Sequence, residues 1–251
     1  CGNRLRLLTA SLALAAAALG GCATNSPAYR GQRTFRSPDA AAAALSDAAA
    51  RGDIGSIEFI LGPEAESVLS SGDPVADARD RAVFAAAMDQ GWSTTRVDSR
   101  TRELIVGDEE WPFPIPLAKD ARGWWFDTAA GREEVLARRI GRNELAAIGT
   151  LQTYMIAQLE YASAARDGRP AGTYAQRIRS DAGMHNGLFW PSEGANPSPL
   201  GEFAAQAAAE GYTRSESGAP SPFRGYYFRI LTRQGPSAPG GAMDYVVGGD
   251  M

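Results

Sequence analysis

Residues 132–166, REEVLARRIGRNELAAIGTLQTYMIAQLEYASAAR, are the stretch on which the fold turns. They contain no proline and only two glycines. Leu136, Ile140, Ala147, Leu151, Tyr154 and Leu159 recur mostly at steps of three, four or seven, the spacing that lines one helical face. A long helix is expected here, with one compact module before it and another after it. Gly141 predicts a kink or a break into two helices, since Asn143 is placed to cap a fresh start.

Upstream, Ser37-Pro38-Asp39 opens a helix that runs through alanines to Arg51-Gly52. Asp53 caps a second, carrying Ile54, Ile57, Ile60 and Leu61 and stopped by Gly62-Pro63. Asp73-Pro74 opens a third, with Val83, Phe84, Ala87 and Met88 on its buried face. After Gly91 the pattern changes to short strands, Trp92 to Val97, Glu103 to Val106, Trp111 to Leu117 and Trp124 to Phe126, separated by turn residues. Helices followed by an antiparallel meander argue for an α+β fold. Within Trp111-Pro112-Phe113-Pro114-Ile115-Pro116-Leu117, alternation puts the four apolar residues on one face and the prolines on the other. The missing N–H groups lie along one lateral edge, which predicts an edge strand or a polyproline-like segment against the core.

Downstream, Asp127-Thr128 caps the long helix and Glu133-Glu134 complement its dipole. A short helical piece is expected at Tyr174 to Ile178, a helix from Ser198-Pro199 to Gly211, a strand from Phe223 to Arg233, and a last strand at Tyr245-Val246-Val247. Val247-Gly248-Gly249-Asp250 reads as a hairpin turn whose returning strand is absent, so a C-terminal truncation is expected. Cys1 stands where an initiator methionine belongs, which points to a longer reading frame. The expected organisation is a signal at 1–21, a tether at 22–34, a first α+β module at 35–130, and the long helix with an incomplete second α+β module at 131–251.

The signal is read from Arg4 and Arg6 ahead of an apolar run from Leu7 to Leu19, too short to span a bilayer as a stable helix. Leu19-Gly20-Gly21-Cys22 then resembles the lipobox of bacterial lipoproteins, in which the cysteine is acylated. The alternative is an ordinary cleavage site with a chance cysteine. On the lipoprotein reading Cys22 anchors the chain to a membrane facing the periplasm, and Ala23, where no aspartate follows, points to the outer membrane. Ala23 to Arg33 is a polar tether.

Composition narrows the chemistry. A formal charge of −4 falls to about −6 without Arg4 and Arg6, and no basic stripe with interleaved aromatics is present, so nucleic acid is not an expected partner. With Cys22 acylated, no thiol remains for a disulfide, a metal or a nucleophile. His185, the lone histidine, sits in a run of turn formers, and zinc would need more nitrogen or sulfur ligands than the chain offers. No GxGxxG or P-loop follows a strand. No metal, cofactor or catalytic residue is expected.

The motifs Gly62-Pro63-Glu64, Ser71-Gly72-Asp73-Pro74, Trp111 to Pro116, Trp125-Phe126-Asp127-Thr128, Arg139 to Glu144, Ser198-Pro199-Leu200-Gly201 and Gly225 to Thr232 together resemble the bacterial domain-of-unknown-function family 2950 (DUF2950), a family of envelope proteins. That resemblance covers essentially the whole mature chain and implies no catalytic residues. Residues 35–128 also resemble the cone-shaped nuclear-transport-factor-2-like fold. Residues 143–251, with Ala157-Gln158 and Tyr161, are similar to the globular part of pilins and pseudopilins. Some relatives are acidic near the Asp167-Gly168 turn in a way that would suit calcium. Here Arg166 and Arg169 flank the one carboxylate, which argues against a metal.

Two functions are expected from these residues. The first is a non-catalytic, lipid-anchored role in binding or assembly, with an envelope protein as partner. The alternative is a small-molecule-binding or hydrolase/isomerase-like pocket in the first module, lined by Trp92, Trp111, Phe113, Trp124 and Trp125 with Glu110 or Asp127 as the acting carboxylate.

Overall fold

The computed structural model describes residues 31–191, 196–212 and 221–251. The signal segment, Cys22 and most of the tether lie outside those residues. Four helices come first: α1 (Pro38–Ala50), α2 (Ile54–Leu61), α3 (Ala65–Leu69) and α4 (Pro74–Gln90). Three begin at the expected caps. Ser37 Oγ accepts from the Ala40 N–H at 3.1 Å, Asp53 from Ser56 at 3.0 Å and Asp73 from Ala76 at 3.0 Å. The one-turn α3 carries no side-chain cap, so no local signal announces it.

Strands β1 (Trp92–Arg96), β2 (Thr101–Val106), β3 (Trp111–Pro112), β4 (Leu117–Asp120) and β5 (Gly123–Phe126) form an antiparallel sheet in the order β1-β2-β4-β5, with β3 also on β2. The proline segment departs from its expectation. Only Trp111 and Pro112 pair with β2, opposite Val106 and Ile105; the ladder resumes at Leu117, opposite Arg102. Residues 113–116 bow out between them, with the Phe113 N–H still donating to Leu104 O at 2.7 Å. A chain with prolines at 114 and 116 cannot supply a continuous ladder. Splitting it lets β4 lie inside the sheet between β2 and β5, so it is not an edge strand.

Helices and sheet enclose one apolar core that includes Leu45, Ile60, Leu104, Val106, Ile115, Leu117 and Phe126, all at most 2 % exposed. The outer edge of β5 is closed by Phe35, which exchanges two backbone hydrogen bonds with Trp124.

Helix α5 (Thr128–Ala162) follows as one unbroken helix of 35 residues. The break expected at Gly141 does not occur, and Asn143 lies mid-helix. Gly141 has open space around it, so nothing drives the backbone off its helical path there. Gly131 has a different role: a Cβ there would run into the backbone of Pro114 and Ile115, so its absence lets α5 lie on the bowed proline segment.

The second half is poorer in regular structure. Among its described residues it has α6 (Gly201–Ala209) and a two-stranded sheet of β6 (Arg233–Gln234) and β7 (Met243–Asp244). Neither the helical piece at 174–178 nor the strand from Phe223 is formed, and the strand expected at 245–247 is absent too: β7 precedes it at 243–244, and Val247 only bridges to Asp250 across the glycine turn. Phe223 and Tyr226 instead pair with each other across a tight turn in which Arg224 and Gly225 both adopt positive φ. That turn reverses the chain and ends any extended run. The Gly248-Gly249 turn is present, closed by mutual hydrogen bonds between Val247 and Asp250. A smaller core of Ala157, Tyr161, Ala175, Leu188, Trp190 and Leu200 forms on α5. Helices plus antiparallel sheets in two modules make this an α+β protein.

Candidate functional site

The aromatic residues of the first module are structural in their surroundings. Phe113 lies 5.2 Å from Phe84 and edge-on to Phe126 at 6.1 Å, which wedges its ring between α4 and β5. Trp124 and Trp125 are buried on opposite faces of β5, and Trp92 is half-buried beside Met88's cluster. Trp111 stays 39 % exposed, with the Arg138 guanidinium 5.2 Å above its ring. The two carboxylates expected to act here are not brought together with these rings. Asp127 is buried as the N-cap of α5, accepting from Ala130 N–H at 3.2 Å. Glu110 sits at positive φ in the exposed β2–β3 turn, its N–H donating to Gly107 O.

A recess of about 650 Å³ opens in the second module, where sequence reasoning placed none. Tyr154, Met155, Gln158 and Leu159 of α5 form one wall; Tyr174, Met243, Tyr245 and Met251 contribute to the other. Gln158 builds it. Its Oε1 accepts from the Ala175 N–H and its Nε2 donates to Ala175 O and to the Tyr154 hydroxyl, all at 2.9 Å. A buried amide satisfied on both sides fixes residues 174–175 against the helix. Those residues hold the chain's last turn in place, through Tyr174 N–H to Met251 O at 2.6 Å and Gln176 Nε2 to Gly249 O at 2.6 Å. Tyr245 is set by its hydroxyl on Gln234 at 2.5 Å. Asp244 is the one ionisable carboxylate among the lining residues.

Three tyrosines and three methionines make a wall that is apolar, deformable and rimmed with hydroxyls. Such a wall grips side chains of varied shape. The signal for it was present at Gln158, a polar residue at a helix position otherwise facing a core. The facing residues Met243 to Tyr245 lead into the short strand expected at 245–247, and nothing in that spacing says it would meet α5.

His185 is half-buried and edge-on to Trp190 at 4.6 Å. Its backbone N–H donates to Asp167 Oδ2 at 2.5 Å. Arg166 lies over both Tyr161 and Trp190 at 5.3 Å, so the Asp167-Gly168 turn is tied into the smaller core. Among the described residues, no three His, Cys, Asp or Glu side chains gather in a way that would hold a metal ion. No described helix is long and apolar enough to cross a membrane.

A further group joins the modules. Asp73 is 1 % exposed; beyond capping α4, its Oδ2 accepts from the Tyr212 hydroxyl at 3.0 Å and the Gly225 N–H at 3.1 Å. Gly225 rests on α5, where a Cβ would overlap the Asn143 amide. Burial pushes the Tyr212 hydroxyl's pKa above its ordinary value, and the Asp73 carboxylate adds to the shift.

Comparison with known proteins yields one match. The family model described as protein of unknown function (DUF2950) covers residues 32–251, and the chain therefore belongs to that family. Neither the curated proteins nor the solved structures provide a match.

Proposed function

We propose, taking membership of the DUF2950 family as the premise, that this is a non-catalytic protein of the bacterial cell envelope. On this reading it is lipid-anchored at Cys22, faces the periplasm, and acts by binding or assembly. The anchor is supported by the run Leu7 to Leu19 and the Leu19-Gly20-Gly21-Cys22 motif. The resemblance of residues 143–251 to pilin globular domains, read from the sequence, fits assembly. The observation that carries the binding role is the Tyr/Met-lined recess on α5, an apolar surface with adaptable walls and one carboxylate. The alternative pocket in the first module draws no support from geometry, because Asp127 is engaged as a helix cap and Glu110 lies in an exposed turn.

Two measurements test the proposal. The full chain, expressed in its bacterial host, incorporates labelled fatty acid and sediments with the outer-membrane fraction; Cys22→Ser abolishes both. An unlabelled, freely soluble wild type refutes the anchor. A photo-reactive amino acid at Met243 gives a discrete adduct in the intact envelope, and no adduct there refutes binding at the recess.

A further inference from the structure

We infer that the end of the first sheet carrying the β1–β2 and β4–β5 turns is a docking surface for an anionic phospholipid bilayer. The inference rests on the lipid-anchor reading above and adds which side of the molecule meets the membrane.

Strand register gathers the charges. Arg96 stands opposite Arg102, Arg102 opposite Leu117, and Lys119 opposite Trp124, so the three cations share one face across β1, β2 and β4. On that face Thr94 Oγ1 donates to Asp39 at the start of α1 at 2.7 Å, and Arg96 lies one step further out. The Arg102 guanidinium and the Lys119 ammonium sit 5.1 and 5.6 Å from the centre of the Trp124 ring. Arg100, in the β1–β2 turn, and Arg36, next to the Phe35 that pairs with Trp124, extend the same end. Among the described residues none of these five is ion-paired, whereas Arg122 nearby is taken up by Asp120 at 3.1 Å. The other carboxylates of this end are Asp39 and Asp98, since Glu103, opposite Thr95, faces away. Five cations against two carboxylates are a local surplus in a chain of formal charge −4. They come from positions 36 to 119, so no run of sequence announces the rim.

Three features choose the occupant. First, the sheet is polar along its strands: at the opposite end the β2–β3 turn holds Asp108, Glu109 and Glu110, all exposed. A domain charged in this way turns its basic end toward a negative surface. Second, Val97 is 63 % exposed in the turn between Arg96 and Arg100. An apolar tip bordered by cations suits the headgroup layer, with the side chain among acyl chains and the guanidinium groups on phosphates. Third, the nine steps from Cys22 to Gly31 span at most about 30 Å. The chain then runs along β5 toward the rim, Phe35 N–H donating to Trp124 O at 2.8 Å. An acyl group at Cys22 thus keeps the rim within reach of the bilayer.

The acylated chain tests this once reconstituted into vesicles of phosphatidylcholine, alone or equimolar with phosphatidylglycerol. With Cys22 acylated and the leader removed no thiol remains, so Ser99→Cys takes one fluorophore at the rim and Glu109→Cys one at the acidic end. With a quencher on the lipid headgroups, quenching at 99 is expected to rise about threefold or more when phosphatidylglycerol is present, and quenching at 109 to stay low. Salt near 1 M, which cuts the Debye length to about 3 Å, should abolish the rise. Arg96→Glu, Arg100→Glu and Lys119→Glu together should do the same, leaving in place Arg102, which braces the turn through the Asp98 and Thr101 carbonyls. Equal quenching at 99 in both kinds of vesicle, or equal quenching at 99 and 109, overturns the inference and leaves the anchor standing. A chain that takes up no labelled acyl group sinks the anchor and this inference together. Duplex DNA retained by the rim and lost in the triple variant, without a response to phosphatidylglycerol, assigns the surface to nucleic acid and overturns the lipid assignment.

Discussion

The two modules close their cores by different means. In the first, four helices and a five-stranded sheet bury a continuous apolar cluster from Phe35 to Phe126, and the polar links sit at helix caps. In the second, a small cluster on α5 is supplemented by polar clamps, Gln158 on Ala175 and Asp73 on Tyr212 and Gly225. Burial that scales with area gives the first module its stability. The second depends on a few satisfied buried groups, whose loss leaves costly orphans. It also leaves half of its longest helix uncovered.

Substitutions test that contrast. The largest loss is expected at Phe126→Ala, a fully buried ring in the first core, at about 3–5 kcal/mol in urea unfolding. Should that variant lose under about 1 kcal/mol, the first core does not bear the load assigned to it. Asp73→Ala comes next, at about 2–4 kcal/mol, since it removes a cap and leaves the Tyr212 and Gly225 donors without an acceptor. Hydrogen exchange should then rise on both sides of the junction, and Asp73→Asn, which keeps one acceptor oxygen but turns an NH2 donor toward the remaining donors, should recover only part of the loss. Tyr212→Phe should cost about 1 kcal/mol and change the response to alkali. Because the Tyr212 pKa is raised in the folded chain, its contribution is complete below the ordinary value of 10.0 and is lost as pH rises through the folded value. Wild type should therefore lose stability above about pH 10 more steeply than the phenylalanine variant in a pH series of thermal melts. The smallest effect is expected at Leu151→Gln: within about 0.5 kcal/mol for the dilute chain, since the side chain is 54 % exposed.

How legible each region was follows from the same contrast. Caps at Ser37, Asp53, Asp73 and Asp127 are local chemistry, so four helix starts could be read from residues three apart. The α+β class followed from the change of period at Gly91. Regions 174–178 and 223–233 misled because alternation and turn residues were read without tertiary partners. Tyr226 and Phe228 alternate like a strand, yet the chain at Arg224-Gly225 turns to reach Asp73. Of the expected pocket, a half-buried sheet foretold the burial of one of Trp124 and Trp125, and not that both would be buried on opposite faces of β5. The recess was not foreseeable, since it joins α5 to residues some ninety positions away, and a short expected strand there carries no sign of the helix it meets.

Asp73 carries one more consequence, for the order of events as the chain emerges. An N-terminal unit generally folds before later segments are made, and Asp73 can cap α4 at once. Its second oxygen must wait for a hydroxyl 139 positions and an amide 152 positions further on. Until residue 225 arrives, that oxygen has only water to donate to it, so the junction between the modules closes last.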